Sequence, residues 1–230
     1  MNNKAKDCKC LECSFKSIPV SLLAENELNT LCSNCIQIEF KAGENIIKQG
    51  GFTTNIAYMT KGLAKIHMEG PLKKEEIIKI VKSPSFIGVP SVFTGRVFHY
   101  SVTSLTETSV CFIDYPYFEK LLLSNGEFAK ELIKELSFDL VQQFKTGVNK
   151  SQKRVNAYVA EVLLDFSENI FDDQNFQLPL SRNEFAYLVG SSRETVTRIL
   201  HDFTEEGLIN VNGKSFKILN SELLHKISET

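Results

Sequence analysis

Four side chains near the carboxyl end of the chain could read the edges of DNA bases: Arg193, Glu194, Thr197 and Arg198. An arginine can donate two hydrogen bonds to guanine, and a glutamate can accept one from the amino group of cytosine. A threonine is short enough to contact either a phosphate or the methyl group of thymine. Residues three and four positions apart are neighbours on a helix, so all four side chains can share one face. The same spacing also fits an ordinary surface helix on which Glu194 and Arg198 form an ion pair.

The four side chains are predicted to lie on the second of two short helices. Ser181 is followed three residues later by Glu184, and Ser191 by Glu194, so each pair predicts a capping box that begins a helix. Gly190 lies between the helices, where a residue free to take a positive φ is favoured. The pattern is typical of a DNA-reading helix-turn-helix, whose second helix enters the major groove. Each helix is predicted to bury one apolar face, formed by Phe185, Leu188 and Val189 on the first and by Val196, Ile199 and Leu200 on the second.

A hairpin is predicted directly after the second helix. Asn212-Gly213 separates two alternating apolar runs, and this dipeptide is a strong hairpin signal. A two-stranded wing after a helix-turn-helix predicts a winged-helix domain, which we assign to residues 151–230. The predicted DNA contacts are the four base-reading residues together with Ser181, Ser192 and Lys214.

Composition limits the class of protein. Of 230 residues, 43% are hydrophobic and 23% are charged, which is ordinary for a globular protein. The chain has neither a run of about 18 apolar residues nor an apolar signal segment, so we expect a cytoplasmic protein that does not enter a membrane. In that compartment six cysteines are more often thiols or metal ligands than disulfides. The four histidines are scattered and no hydrolase or phosphate-loop motif occurs, so an enzyme is not expected.

Charge is unevenly divided along the chain. Residues 151–230 carry 8 basic and 12 acidic side chains, a net charge of −4, whereas residues 1–150 carry 18 and 16, a net charge of +2. An acidic domain repels phosphates on average, so DNA binding must depend on a local basic patch and on two copies of the winged-helix domain. The candidates for that patch are Arg182, Arg193, Arg198, Lys214 and Lys217.

The rest of the chain predicts an α+β protein with three further parts. Residues 1–20 form a cysteine-containing segment. Short β-branched or alternating runs separated by glycine turns predict an antiparallel, jelly-roll-like β-barrel within residues 21–127. Residues 128–150 predict a long dimerisation helix, because a broad apolar stripe leaves area for a partner. Thr146-Gly147, followed by Ser151, predicts a flexible joint before a new helix at residues 154–171. The stripe consists of Ala129, Leu132, Ile133, Leu136, Leu140, Val141, Phe144 and Val148.

The order of these parts resembles the Crp/Fnr family of bacterial transcription regulators. In the barrel the resemblance rests on residues 40–44 (Phe-Lys-Ala-Gly-Glu), Gln49-Gly50, Lys61-Gly62 and residues 86–88 (Phe-Ile-Gly). Its most specific part is Ser-Arg-Glu-Thr-Val-Thr-Arg at residues 192–198, which is close to the cyclic-AMP receptor branch. The resemblance implies a cyclic-nucleotide-binding-like sensor whose signal repositions two recognition helices.

The resemblance also implies specific DNA contacts and partners. Arg193 and Arg198 would read guanines, and Glu194 a cytosine, in a TGTGA-like half-site of a palindrome. The implied partners are double-stranded DNA, a second copy of the chain and, for an activator, RNA polymerase.

The effector is expected to differ from that of the cyclic-nucleotide branch. That branch binds the ribose with a Gly-Glu stretch and the cyclic phosphate with an Arg-Ser pair, and neither follows residues 86–88 here. Without that cation the phosphate would lose a charge-assisted contact, so cyclic AMP is not expected. The largely apolar residues 89–101 are either barrel core or the wall of a pocket for a less polar ligand. The candidate pocket residues are Gly88, Val89, Arg96 and His99.

The cysteines indicate a redox or oxygen signal. Cys111 matches the place of the later ligand in the oxygen-sensing branch of the family, which holds a [4Fe–4S] cluster. Pro19 stands near the place of that branch's third N-terminal cysteine, so Cys8 would have to replace it, and Cys32-x2-Cys35 has no place in the scheme. Four thiolates fit zinc equally well, and plain reduced thiols are a third possibility. The candidate cluster ligands are Cys8, Cys10, Cys13 and Cys111.

Two other functions remain open from sequence alone. His67 and His99 could bind haem in a gas sensor of the same family. The barrel could also belong to a cyclic-nucleotide-binding-like module that acts through protein contacts.

Overall fold

The computed structural model describes residues 16–71 and 73–230, so the candidate ligands Cys8, Cys10 and Cys13 lie outside the described residues. The described residues form two compact units, of which the first ends at Asp139 and the second begins at Leu140.

Two four-stranded antiparallel sheets form the centre of the first unit, which confirms the predicted jelly-roll-like architecture. The first sheet has the strand order β1 (Cys35–Phe40), β8 (Thr108–Asp114), β3 (Asn55–Lys61), β6 (Ser85–Ile87). The second has the order β2 (Asn45–Ile47), β7 (Ser101–Ser104), β4 (Leu63–Glu69), β5 (Glu75–Lys82). These eight strands lie within residues 21–127, where the sequence predicted a β-barrel.

Both faces of the first sheet are buried. Along β3, Ala57 and Met59 pack between the two sheets, whereas Ile56 and Tyr58 point to the opposite face. This alternation follows from the two-residue period of a strand. Five helices supply the apolar cluster on that opposite face: α1 (Ile18–Ser21), α2 (Glu25–Ser33), α3 (Val89–Phe93), α4 (Tyr115–Ser124) and the beginning of α5 (Gly126–Gln152).

The turn from β3 to β4 requires glycine. Gly62 has a φ of +100°, and a Cβ atom there would lie 2.5 Å from the carbonyl oxygen of Glu107. Both the backbone conformation and the space therefore exclude a side chain at this position.

The long helix continues further than predicted. α5 runs through Gly147 to Gln152, so the predicted joint at Thr146-Gly147 is wrong. One glycine costs only about 1 kcal/mol in a helix interior, which a long helix tolerates. Ser151 donates its hydroxyl to the carbonyl of Val148 within the same helix instead of starting a new one. The next helix, α6 (Val155–Asp165), follows Arg154, whose backbone is extended.

A break that the sequence pattern does not reveal lies between α4 and α5. Asn125 interrupts the helical residues, and its side-chain oxygen accepts a hydrogen bond from the N–H of Phe128 at 3.0 Å. Asn125 therefore caps the beginning of the long helix.

The second unit is a winged helix-turn-helix, as predicted. After α6 come a π-helix (Phe166–Phe171), β9 (Asn175–Gln177), α7 (Arg182–Val189), α8 (Arg193–Glu205), β10 (Ile209–Asn212), β11 (Ser215–Ile218) and α9 (Ser221–Ser228). The wing has three strands in the order β10-β11-β9, so the prediction of two strands is incomplete. Phe176 on β9 lies opposite Phe216 on β11, and their rings stack with centroids 5.7 Å apart.

Candidate nucleic-acid interface

The first helix of the reader begins with the predicted capping box. The hydroxyl of Ser181 accepts a hydrogen bond from the N–H of Glu184 at 3.2 Å, and the Glu184 carboxylate accepts one from the N–H of Ser181 at 2.8 Å. At the other end of α7, Gly190 has a φ of +68°, which confirms its predicted role in the turn. These two ends fix the length of α7.

The second helix begins one residue later than predicted. Ser191 donates its N–H to the carbonyl of Ala186 at 2.9 Å and so closes α7. Ser192 is the residue that caps α8, because its hydroxyl accepts a hydrogen bond from the N–H of Thr195 at 3.1 Å. The predicted Ser191–Glu194 capping box is therefore wrong. Glu194 lies instead in the first turn of α8, where a negative charge is favoured by the helix dipole.

One face of α8 is exposed and carries all four predicted base-reading side chains. Its opposite side is buried, with Val196 fully enclosed and Ile199 and Leu200 nearly so, as predicted. The sequence pattern does not single out His201, although its position four residues after Thr197 would have placed it on the same face. The exposed face consists of Arg193, Glu194, Thr197, Arg198 and His201.

The charged groups on this face are not engaged with one another. In the described part of the chain, no ion pair includes Arg193, Glu194 or Arg198. The hydroxyl of Thr197 donates to the carbonyl of Arg193 at 2.8 Å, so its proton is used within the helix. The charged groups therefore remain available to a ligand, and Thr197 offers its methyl group.

Arg182, at the beginning of α7, contacts the wing hairpin of the same unit. Its guanidinium donates to the carbonyl oxygen of Gly213 at 3.2 Å and lies 5.0 Å from the centroid of the Phe216 ring. Burial lowers the pKa of Arg182 from its ordinary value. These contacts connect the beginning of α7 to the wing hairpin.

The wing presents two lysines. Asn212 pairs with Ser215, so the hairpin turn consists of Gly213 and Lys214. Lys214 and Lys217 are both exposed. In contrast, the hydroxyls of the two other predicted contact residues, Ser181 and Ser192, are engaged in capping α7 and α8.

The four candidate pocket residues of the first unit lie in different settings. Gly88 precedes α3 and donates its N–H to the hydroxyl of Tyr100 at 3.1 Å. Val89 belongs to the apolar cluster and is 2% exposed. The two polar candidates are exposed: Arg96 stacks on Tyr115 at 4.8 Å, and the imidazole of His99 lies 3.2 Å from the hydroxyl of Thr94.

A cavity of about 240 Å³ lies elsewhere in the first unit, between β5, β6 and α5. Lys79 on β5 and Asp139 on α5 form an ion pair across it, with Nζ and Oδ2 2.5 Å apart. Burial raises the pKa of Glu135 in the cavity wall, and the nearby carboxylates of Asp139 and Glu131 raise it further. Because this strand and this helix are distant in sequence, no local pattern predicts the cavity. Its polar lining consists of Lys79, Lys82, Ser85, Glu135 and Asp139, and its apolar lining includes Phe86, Leu132 and Leu136.

The described cysteines all pack against the helix-covered face of the first sheet. Cys111, in the middle of β8, is 4% exposed within the apolar cluster, and Cys32 and Cys35 are half-buried against the same cluster. Among residues 16–71 and 73–230, no group of three His, Cys, Asp or Glu side chains is arranged to hold a metal ion. An iron–sulfur cluster would therefore need the N-terminal cysteines as ligands.

The two histidines considered for haem have other contacts. The Nε2 atom of His67 lies 2.9 Å from the Thr103 hydroxyl, and its Nδ1 atom lies 3.4 Å from the Glu75 carboxylate. Both ring nitrogens of His67 are thus engaged within the protein, and a haem iron would have to displace one of these partners.

No helix in residues 16–71 or 73–230 combines the length and apolar character needed to cross a membrane.

Comparison with known proteins gives matches over both units. A model of the cyclic nucleotide-binding domain matches residues 37–125, and a model of the Crp-like helix-turn-helix domain matches residues 159–227. The transcriptional activator protein FnrA of Stutzerimonas stutzeri is 22% identical over 222 residues, which cover 94% of this chain and 91% of FnrA.

The cAMP-activated global transcriptional regulator CRP of Salmonella typhimurium is 26% identical over 196 residues, covering 83% of this chain and 93% of CRP. Among solved structures, FixK2 from Bradyrhizobium japonicum superposes with a TM-score of 0.76 at 18% identity. That match covers 84% of this chain and 96% of FixK2, so the two proteins share a fold.

Proposed function

Since the chain belongs to the Crp/Fnr family of DNA-binding transcription regulators, we propose that it reads one half-site of a palindromic DNA sequence through the exposed face of α8. The observation that carries the proposal is that α8 presents Arg193, Glu194 and Arg198 together at its first two turns, exposed and outside any described ion pair. This is the end of a recognition helix that approaches base edges in the major groove.

Each side chain on this face has a distinct task. Arg193 and Arg198 donate to guanines, and Glu194 accepts from a cytosine amino group, as a TGTGA-like half-site requires. Because the Thr197 hydroxyl already donates to the Arg193 carbonyl, its methyl group contacts a thymine methyl in preference to a phosphate. Lys214 and Lys217 on the wing neutralise phosphates and fix the register without reading sequence. Ser181 and Ser192 act through the helix ends that they cap.

Base reading is tested by an unbiased selection from random duplexes, followed by fluorescence anisotropy with the selected site. Arg193→Ala should lose about 1–3 kcal/mol per half-site, and the loss should disappear when the guanine opposite it is replaced. Lys226→Ala is the matched control, because it removes one positive charge from α9, where Lys226 pairs with Glu222. Equal losses in the two variants, or a selected site without paired guanines, would contradict the proposal.

A homodimer is the second part of the proposal. Ile133 and Phe144 on α5 are 62% and 63% exposed, and Leu140, Val141 and Val148 are about half exposed. At about 100° per residue these five side chains fall within an arc of about 100° on the helix surface. An apolar stripe of this kind pairs with a copy of itself, as two half-sites require.

Dimerisation is tested by light scattering coupled to size-exclusion chromatography. Phe144→Glu places a charge in the middle of the stripe and should yield a monomer that has lost affinity for the palindrome. Lys145→Glu introduces the same side chain at the next position, outside the stripe, and should remain a dimer. If the Phe144→Glu variant remained a dimer, α5 would not be the dimer interface.

The first unit is the sensor in this proposal, for a small-molecule, redox or oxygen signal. Its cavity is lined by two lysines and two carboxylates, and Lys79 and Asp139 form a direct ion pair. Cyclic AMP is not expected as the signal, because the Gly-Glu stretch and the Arg-Ser pair are missing after Gly88, and calorimetry with cyclic AMP should show no binding. When bound at target promoters as an activator, the dimer would also contact RNA polymerase.

A [4Fe–4S] cluster held by Cys8, Cys10, Cys13 and Cys111 is one form that a redox or oxygen sensor could take. Its support is the resemblance of the cysteine positions to those of the oxygen-sensing branch, and Cys111 itself is enclosed among apolar side chains. A brown, iron-containing protein after anaerobic purification is the expected result, and a colourless, iron-free protein would exclude it.

A further inference from the structure

His201 lies one turn beyond Thr197 on the exposed face of α8. We propose that His201, when protonated, donates to a DNA phosphate at the edge of the major groove, so that DNA affinity rises as pH falls. This role rests on the proposed function, because it requires α8 to lie in the groove.

His201 is in the middle of the exposed face and not at its margin. At about 100° per residue, the arc of helix surface from Arg193 to Arg198 spans about 140°, and His201 falls about 80° from Arg193. The buried side chains of Val196 and Leu200 point away from this arc. A helix that places Arg193 and Arg198 against DNA therefore also turns the His201 imidazole toward it.

The position of His201 along the helix axis favours the DNA backbone over the bases. His201 follows Arg193 by eight positions, which at 1.5 Å per residue is about 12 Å. The major groove is also about 12 Å wide. Since the first turns of a recognition helix contact the bases, a side chain two turns further along meets the phosphates that border the groove.

The imidazole of His201 is accessible to a ligand. Its side chain is 72% exposed, and its Nδ1 atom lies 3.9 Å from Oδ1 of Asp202. On α8 itself, Arg198 lies three residues before His201 and Glu205 four residues after it, so both are neighbours on the helix surface. The elements packed against α8 are α6, α7 and β10, and within residues 16–71 and 73–230 none of their charged groups pairs with His201. The ring nitrogens can therefore turn toward a phosphate.

The charge of the imidazole links DNA binding to pH. Histidine is the side chain that ordinarily changes its charge between pH 5 and 8. A phosphate stabilises the protonated imidazole in the complex, so binding takes up a proton and affinity falls as pH rises. The added charge matters on this unit, because residues 151–230 carry a net charge of −4 when the histidines are neutral.

Fluorescence anisotropy with the full chain and the selected palindrome measures this linkage at pH 6 and pH 8, on either side of the ordinary histidine titration. The wild type should bind about two- to fivefold more tightly per half-site at the lower pH, as expected of one exposed ion pair. The slope of the logarithm of affinity against the logarithm of salt concentration should also be steeper there by about 0.9 per half-site, which corresponds to one further phosphate contact. A slope that does not change with pH would overturn the proposal.

Two substitutions at this position separate the charge of the side chain from its shape. His201→Gln is neutral at both pH values, so at the lower pH it should bind as the wild type binds at the higher one. His201→Lys is positive at both and should bind tightly at both. Because the side chain is 72% exposed, neither variant should change the melting temperature. His225→Gln is the matched control, since His225 is exposed on α9, 2.8 Å from the Glu168 carboxylate, and this variant should keep the wild-type pH dependence.

Four results would contradict a phosphate contact by His201. They are wild-type pH dependence in His201→Gln, weak binding of His201→Lys at the lower pH, loss of pH dependence in His225→Gln, and a changed base preference of His201→Gln in the selection. The last follows because a phosphate contact supports binding to all sequences alike.

Base reading is judged separately with His201→Gln, by its preference for the selected palindrome over a random duplex. A clear preference in this variant, together with a wild type that shows no pH dependence, would contradict only the role of His201. Absence of any preference in both proteins would contradict the proposed function itself.

Discussion

Arg182 offers a sharp test, because its contacts and its charge predict opposite outcomes for one conservative substitution. The guanidinium donates to the Gly213 carbonyl and stacks over Phe216, which requires a planar group with fixed donors. Lysine keeps the positive charge but lacks the planar guanidinium and the paired N–H donors of arginine. Arg182→Lys should therefore loosen the wing, whereas a residue that only contacts phosphate would tolerate the change.

The magnitude follows from the two contacts. A hydrogen bond from a charged donor stabilises by about 1.5–3 kcal/mol when fully buried, and by less here because Arg182 is half-buried. A cation–π contact near the surface adds about 0.5–1 kcal/mol. We expect Arg182→Ala to lose about 1–2 kcal/mol, and Arg182→Lys to lose most of that amount because both contacts depend on the guanidinium.

Hydrogen exchange of the full chain, read at the amides of residues 209–218, measures this loss where it arises. Lys217→Ala is the matched control, since Lys217 is exposed on β11. It should leave wing exchange unchanged and reduce the salt dependence of DNA binding by about one counterion. If Arg182→Lys exchanges like the wild type, its guanidinium does not hold the wing, and if Arg182→Ala weakens only DNA binding, its role is electrostatic.

Five further substitutions test three features of the fold. Glu135→Gln should be more stable than wild type at pH 7 in urea denaturation. The pKa of Glu135 is raised in the folded protein. Its contribution to the free energy of unfolding is therefore fully present below its pKa in the unfolded chain and is lost as pH rises through its pKa in the folded protein. The Gln variant should not show this part of the pH dependence of stability. Gly62→Ala should lower the melting temperature by a loss of about 1–3 kcal/mol, whereas Gly147→Ala, with nothing within 4 Å of the new Cβ, should gain up to about 1 kcal/mol. Ser192→Ala should lose about 1 kcal/mol as a lost helix cap, and Ser191→Ala should lose little; the opposite order would restore the capping box predicted from sequence.

Local sequence signals were sufficient for the elements of the sandwich and for the face of α8. Glycine turns such as Gly62 separate runs whose two-residue alternation continues in the structure. The exposed face of α8 was predictable because capping and helical periodicity act within a few residues. Its boundary was off by one residue because Ser191 and Ser192 are both good caps, and the choice between them depends on how α7 ends.

Other features depend on contacts between distant parts of the chain and leave no local pattern. β9 has only three residues and becomes a strand through its pairing with β11. The cavity forms where β5 and β6 face α5, which no local segment of sequence specifies. The role of Arg182 is also invisible in sequence, since it counts as one more positive charge until its contact with Phe216 is seen.

Because Arg182 holds the wing, it no longer counts among the positive charges that could bind DNA phosphates, and this reduces the charge available to the winged-helix unit. The patch then consists of Arg193, Arg198, Lys214 and Lys217, on a unit whose residues 151–230 carry a net charge of −4. Two of these four cations, Arg193 and Arg198, are assigned to bases, which leaves two lysines per copy for phosphates. Since each neutralised phosphate contributes about one counterion to the salt dependence, binding to random DNA should be weak. If α8 reads bases as proposed, discrimination would have to come from base contacts made by two copies at once, so the proposed homodimer and the proposed base reading depend on each other.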